Sequence, residues 1–247
     1  MIVSHRYRFI FIKTRKTAGT SIELALSSFL GPDDIITPVG PAPWDEAYRA
    51  QMGFRTARNF QRRWHEVELR DLPASARIAC KKLCGRYTAK TVWPMAYWPH
   101  MSATDARRTL GDDIWNGYFR FAVERNPWDF AVSLYHWKLR RNAKRRMSLA
   151  EYVQRGYPAR YANSRLYTID GEIAVDRLLR FESLNQGLDE VSAHLGFPQP
   201  LSALLASIQA KSGIRDDRGY RDRFTAPARE RISRQFEREI ATLGYTF

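Results

Sequence analysis

The alternation of apolar and polar positions divides this chain into strand-length and helix-length blocks. Residues 7–12, closing on Phe9-Ile10-Phe11-Ile12, are apolar and aromatic without Gly or Pro and predict a buried strand. The polar stretch Lys13-Thr14-Arg15-Lys16-Thr17-Ala18-Gly19-Thr20-Ser21 predicts a loop, and residues 22–30 a helix stopped by Gly31 and Pro32. With four prolines and two glycines, residues 31–43 predict a loop, and residues 44–92 carry an amphipathic, basic pattern that predicts helix in pieces. Ser102 and Asp105 have capping-box spacing before a short helix ended by Gly111. Residues 118–124 predict a second strand that runs into Arg125-Asn126-Pro127 and a helix to about residue 144, with Pro127 in its first turn. Ser148 and Glu151 form another capping box, residues 177–181 predict a third strand, and residues 183–195 a helix closed by Gly196. A last helix over 227–243 sets Ile232, Phe236, Ile240 and Leu243 on one face, with Gly244 past its end. Strands alternating with helices predict an α/β fold, a P-loop-like parallel β-sheet flanked by helices on both faces. No repeat or linker interrupts the pattern, so residues 1–247 read as a single domain.

Composition narrows the class. A chain of 247 residues, 44% hydrophobic and 13% aromatic, is long and apolar enough for a core without disulfides and does not match a disordered protein. No apolar run approaches the ~18–20 residues of a membrane span. The first apolar run is flanked by Arg6, Arg8 and Lys13 with no small-residue cleavage site after it, which is unlike a signal peptide. A cytoplasmic chain without a transmembrane segment is expected. Cys80 and Cys84 are the only cysteines, which excludes a disulfide scaffold and a four-cysteine zinc site; their spacing predicts two reduced thiols on one helical face. The 40 Lys+Arg against 26 Asp+Glu leave a formal charge of +14. Such a charge predicts an anionic partner (nucleic acid, a membrane surface, or a phosphorylated or sulfated small molecule) or else a solvated basic face.

In open α/β sheets, ligands bind beyond the carboxyl ends of the strands, where residues 13–21 fall. Thr17, Ala18, Gly19, Thr20 and Ser21 are small and open a helix, whose free N–H groups form an anion site beside Lys16. The alternative is a capped helix start that uses the hydroxyls only as N-caps. The loop is not a Walker motif: Lys16 precedes Gly19, and Thr14 stands where a leading glycine belongs.

The segment from Phe9 to Glu23 resembles the 5′-phosphosulfate loop of sulfotransferases that use 3′-phosphoadenosine 5′-phosphosulfate (PAPS), the carbohydrate sulfotransferase (family 2) type above all. The family's pattern Pro-Lys-Thr-x-Gly-Thr-Ser is met from Lys16 to Ser21, with Arg15 in place of the proline. The resemblance implies that residues Arg15, Lys16, Thr17, Ala18, Gly19, Thr20 and Ser21 bind the donor, the loop amides its 5′-phosphate, with Arg15 as an extra cation and Lys16, at the bridging oxygen, also catalytic. Residues 121–135, with Arg125-Asn126-Pro127 and Ser133 eight residues after Arg125, resemble the family's 3′-phosphate motif. There Arg125 forks onto a phosphate and Ser133 donates its hydroxyl. The alternative pairs Arg125 with Asp129. Trp128 and Trp137, at helical spacing, read as core packing.

The likeness continues through Arg180-Phe181-Glu182-Ser183-Leu184 and Leu243-Gly244-Tyr245-Thr246-Phe247, and is absent over about 31–92, the variable acceptor-binding region. In the polar loop before the last helix, Lys211 and Arg221 are candidates for the 3′-phosphate. His100, in Trp98-Pro99-His100-Met101-Ser102, matches the family's His-x-Ser segment, which implies a catalytic base; a histidine ahead of a helix N-terminus is also held neutral by the dipole. The alternative is a His that only helps cap the helix. His65 and Glu124 are reserves, whereas His5, His136 and His194 read as structural.

The implied reaction is in-line transfer of a sulfuryl group from PAPS to an acceptor hydroxyl on a saccharide, with 3′-phosphoadenosine 5′-phosphate (PAP) as product and no metal. Trp44, Trp64, Trp93 and Trp98 are candidates to stack on sugar rings, and equally candidates for the core. A P-loop-like kinase is the competing class. A nucleic-acid binder ranks last, since no helix-turn-helix, zinc or RNP signature accompanies the charge.

Overall fold

Residues 1–39, 43–62, 94–141, 147–208 and 219–247 are described in a computed structural model of the chain. Strands β1 (Ile2–Ser4), β2 (Phe9–Ile12), β3 (Ile35–Ile36) and β4 (Phe119–Glu124) lie in one sheet; β5 (Thr168–Ile169) and β6 (Glu172–Ile173) form a separate ribbon; β7 (Arg177–Arg180) completes the main sheet. The order is β3-β1-β2-β4-β7. β4 runs parallel to β2, with Phe9 opposite Phe119 and Ile12 opposite Ala122, and β7 runs parallel to β4, with Glu124 opposite Arg180. β1 is antiparallel to both β2 and β3.

The sheet is therefore mixed, which corrects the all-parallel expectation. Ile2-Val3-Ser4 is too short to register a period, and it turns back onto β2 through residues 5–8, where Arg8 takes a φ of 54°. Asp34 fastens this turn, accepting from the His5 N–H at 2.6 Å, the Arg6 N–H at 3.2 Å and Ser4 Oγ at 3.1 Å. Ile35 and Ile36 come next and lay β3 beside β1, inside the segment whose prolines predict only loop.

The helices are α1 (Gly19–Ser27), α2 (Pro43–Gln51), α3 (Ala103–Leu110), α4 (Asp112–Gly117), α5 (Pro127–Arg141), α6 (Leu149–Gln154), α7 (Ser164–Tyr167), α8 (Leu184–Leu195), α9 (Leu201–Ser207), α10 (Ala226–Gln235) and α11 (Glu237–Leu243). They cover both faces of the sheet because its strands alternate with period two. Ile2, Phe9, Phe11, Phe121 and Val123 pack with α1, α8 and α9 through Ile22, Leu188 and Leu201. Val3, Ile10, Ile12 and Ala122 face the other way, onto Ala103 and Ala106 of α3, Trp115 of α4 and Leu166 of α7. Full burial of each large side chain contributes about 1.5–3 kcal/mol.

A third cluster joins α5, α6 and α10 through Trp128, Phe130, Val153 and Ile232. Pro127 opens α5 as expected, and the Ser148–Glu151 capping box is formed. The last helix, predicted continuous, is kinked at Phe236 (φ −123°, ψ 26°), whose ring packs 6.0 Å from Phe130. Cys80, Cys84, His65, Trp64, Trp93 and Lys211 lie outside the described residues. Among the described residues, no helix is long and apolar enough to cross a membrane.

Candidate functional site

Because β2, β4 and β7 are parallel, the chain leaves Ile12, Glu124 and Arg180 at one edge of the sheet. The turn after β2 rests on two left-handed residues, Lys16 (φ 61°) and Ala18 (φ 58°). Helix α1 starts directly after Ala18 and no side chain caps it. The capped start that the sequence leaves open is not what forms. Gly19, Thr20 and Ser21 make the first helical turn, whose N–H groups have no intrahelical acceptor and carry the positive end of the dipole.

The residues of this loop divide by role. Thr17 is buried, with its hydroxyl 2.8 Å from Thr14 Oγ1, which donates to the Val123 carbonyl at 2.5 Å. The Thr17 side chain is thus spent on holding the turn to β4, whereas Thr20 and Ser21 are half-buried. A Cβ on Gly19 would stand 2.9 Å from Lys13 Cγ and 3.3 Å from the Thr14 carbonyl, so packing on Lys13 demands this glycine. Lys13 is the buried lysine of the loop, with Nζ 2.5 Å from Glu23 Oε2 and 2.9 Å from the Val39 carbonyl. Burial pushes the Glu23 carboxyl up, but Lys13 and the Met1 ammonium, 2.6 Å from Oε1, outweigh it and hold it below the usual range.

Lys16 lies outward. Its carbonyl accepts from Arg125 Nη1 at 2.8 Å, and its ammonium sits 6.0 Å from the Trp137 ring, so the side chain is laid along α5. Trp137, expected in the core, is half-buried beneath it; Trp128 is in the core. Arg125 also holds Asp129 Oδ2 through Nε at 2.8 Å and Nη2 at 2.7 Å, with its guanidinium 4.3 Å from the Phe181 ring. The pairing with Asp129 that the sequence leaves open is present. Ser133 lies one turn from both Asp129 and Trp137, on one stripe of α5. The two motifs that the sequence singles out are in direct contact.

Asn126 is the N-cap of α5. Its Oδ1 accepts from the Trp128 N–H at 3.1 Å, and its own N–H donates to Glu182 at 2.7 Å. Arg221 lies against its neighbour Tyr220; the arginine that reaches α5 is Arg223, which donates to His136 Nε2 at 3.1 Å.

His100 sits beside the start of the loop, with Nδ1 3.0 Å from the Lys13 carbonyl. A carbonyl only accepts, so Nδ1 carries the proton and Nε2 has the lone pair. Burial and the charge of Lys13 push its pKa down to about 4, with Arg15 adding to the effect. The neutral form expected from the α3 dipole is thus accounted for by burial and by the positive charges of Lys13, Arg15 and the Met1 ammonium. Glu124, the reserve base, turns inward. Its Oε1 accepts from the Arg125 N–H at 2.9 Å and Asn163 Nδ2 at 3.1 Å, and Oε2 from the Tyr167 hydroxyl at 3.0 Å. Burial pushes this carboxyl up to about 7.

Asn163 is the residue that sequence reasoning misses. Its Oδ1 accepts the Arg15 N–H at 2.8 Å and its Nδ2 donates to the Arg15 carbonyl at 3.1 Å, clamping the loop from a position 148 residues away. No local pattern marks it. Among the described residues, no cluster of three or more His, Cys, Asp or Glu side chains is arranged to hold a metal ion.

No family model matches the chain, and no solved structure matches it. It is similar to an uncharacterized protein of Archaeoglobus fulgidus, 29% identical over 104 residues that make up 41% of this chain and 87% of that protein. The likeness covers less than half of this chain and carries no activity with it.

Proposed function

We propose that the chain is a sulfotransferase that moves a sulfuryl group from PAPS to an acceptor hydroxyl, on a carbohydrate or glycoconjugate. The observation that carries this reading is the 2.8 Å contact between Arg125 Nη1 and the Lys16 carbonyl. It joins, at one sheet edge, the two motifs that the resemblance assigns to opposite ends of one nucleotide. On this reading β2, its loop and α1 form a P-loop-like unit. The uncapped α1 terminus with Lys16 suits a phosphosulfate, and Arg125 with Ser133 suits the 3′-phosphate.

The donor, when bound, supplies an activated sulfuryl group and leaves as PAP. The first-turn N–H groups and Lys16 hold the negative charge that grows on the departing phosphate. His100 Nε2 receives the acceptor proton, while Nδ1 stays fixed on the Lys13 carbonyl and sets the ring's orientation. With its pKa near 4 the imidazole is neutral at pH 7 and ready to accept, although it is a weak base until its surroundings become less cationic.

Thermal denaturation tests the proposal directly. PAP at about 100 times its Kd should add about 2.7 kcal/mol of stability, and ATP with magnesium should add little. Lys16→Ala and Arg125→Ala should each abolish the PAP response. Equal stabilisation by both nucleotides, with magnesium-dependent ATP turnover, would instead make the chain a kinase.

A further inference from the structure

We propose that Arg15 and Lys138, converging on the ring of Tyr161, form a second anion site that takes an acidic group of the acceptor, a carboxylate or a sulfate ester. The identity of the occupant as an acceptor rests on the sulfotransferase reading; the anion site itself does not. Lys138 Nζ lies 4.2 Å from the Tyr161 ring centroid and 2.5 Å from its hydroxyl, and the Arg15 guanidinium lies 6.0 Å from the same centroid. Lys138 also lies 5.3 Å from the Trp137 ring. Two like charges thus share one aromatic frame.

Several other buried or half-buried cations are paired with acids: Lys13 with Glu23, Arg49 with Glu46, Arg120 with Asp176 and Arg125 with Asp129. Among the described residues, no carboxylate pairs with Arg15 or Lys138. Burial pulls the Arg15 guanidinium below its ordinary value, and only Tyr161 opposes that. A half-buried cation with no carboxylate partner among the described residues, beside a second cation, is a place where an anion is stabilised.

The arrangement is built rather than incidental. Asn163 is 1% exposed and grips both the N–H and the carbonyl of Arg15. Tyr161, two residues before Asn163, closes the 3-10 turn Ala159–Tyr161, so one short segment sets both the loop residue and the ring it faces. The site also lies toward the base. His100 bonds to the carbonyl of Lys13, two residues from Arg15, and the Arg15 charge contributes to depressing the imidazole. An anion here would offset that charge and strengthen His100 as a base when the acceptor arrives. On the sulfotransferase reading the donor's phosphates have Lys16 with the loop amides, and Arg125 with Ser133; Arg15, expected from the sequence at the donor, lies instead against Tyr161 beside Lys138 and is assigned with it to the acceptor. Arg15 stands where the resembling family has proline, so this cation belongs to this chain's own pattern.

Two measurements decide the matter. In the first, with no nucleotide present, acylation of Lys138 is followed by mass spectrometry in the presence of inorganic sulfate or glucuronate, with Nα-acetyllysine amide in the same solution as the reference amine. Protection of Lys138 at least threefold greater than that of the reference, lost in Arg15→Gln, is expected; no selective protection overturns the anion site. In the second, calorimetry at saturating PAP compares a disaccharide ending in glucuronate with its glucose counterpart. A preference of tenfold or more for the acidic sugar is expected, erased in the double variant Arg15→Gln/Lys138→Gln, while Lys138→Gln alone keeps its PAP response. Equal affinities, or a preference that survives the double variant, overturn the assignment to the acceptor. Absence of any PAP response in the unsubstituted chain, with Lys138 still protected, overturns the sulfotransferase reading and leaves the anion site standing.

Discussion

Ala18 and Gly19 show how far residue type and backbone demand diverge inside one loop. Ala18 is left-handed, a conformation that costs an alanine roughly 1 kcal/mol relative to glycine. Ala18→Gly should therefore stabilise the chain by about 1 kcal/mol in urea denaturation. Gly19 is the reverse: helix propensity favours alanine there by about 1 kcal/mol, yet the new Cβ would meet Lys13 Cγ at 2.9 Å. Lys13 is pinned by Glu23 and cannot yield cheaply, so Gly19→Ala should destabilise. A stabilised Gly19→Ala would mean that Lys13 is free to move. Asn163 is decisive for a different reason. Removing its amide in Asn163→Ala deletes two bonds to Arg15 and one to Glu124 in a buried place, for a cost of about 3 kcal/mol. Amide exchange over residues 13–21 should accelerate in that variant, and exchange unchanged from the parent would refute the clamp. Lys16, Arg125 and His100 are legible in the sequence because each sits at a strand-to-helix or loop-to-helix junction. Asn163 is not, because its meaning lies in a partner far away along the chain.

Among the elements, the same division between local and distant causes holds. β2 with α1 and β4 with α5 are readable because each strand carries its own run of Phe, Ile and Val and each junction carries its own turn or proline. β1 and β3 escape, being three and two residues long, so that only pairing defines them. What makes them strands is Asp34, a buried carboxylate that gathers Ser4, His5, Arg6 and the Gly31 N–H at 2.8 Å. Asp34→Ala strands several donors at once and should cost about 3 kcal/mol or more, with loss of exchange protection confined first to β1 and β3. Protection lost evenly across the sheet would show that the edge strands are held by packing instead. The kink at Phe236 has the same origin as β1 and β3: helical periodicity predicts a continuous apolar stripe, and tertiary packing of one ring on Phe130 turns it.

For the molecule as a whole, two titrating groups tied to the loop pull stability in opposite directions with pH. The Glu124 carboxyl, ordinarily near 4.5, is pushed by burial up to about 7. Between those values the folded chain keeps a proton that the unfolded chain has released, so this stabilisation is whole below 4.5 and drains away as pH rises through 7. The His100 imidazole, ordinarily near 6.5, is pushed by burial and the Lys13 charge down to about 4. There the unfolded chain takes the proton first, so the stabilisation is whole above 6.5 and is lost as pH falls through 4. Each shift corresponds to about 3 kcal/mol, and from 4.5 to 6.5 the two slopes nearly cancel. Single variants should expose them. Measured as a difference from the parent, in which every other group cancels, Glu124→Gln should gain about 3 kcal/mol as pH rises from 4.5 to 7. His100→Gln should gain by a similar amount as pH falls from 6.5 to 4. Differences that run parallel for the two variants would contradict the assigned environments. Glu124 reaches the loop through Asn163, and His100 reaches it through the Lys13 carbonyl. If His100 is the base, transfer should persist to about pH 5 and fail near 4, and neutralising Arg15 should move that acid limb upward, because one of the charges holding the imidazole neutral is then gone.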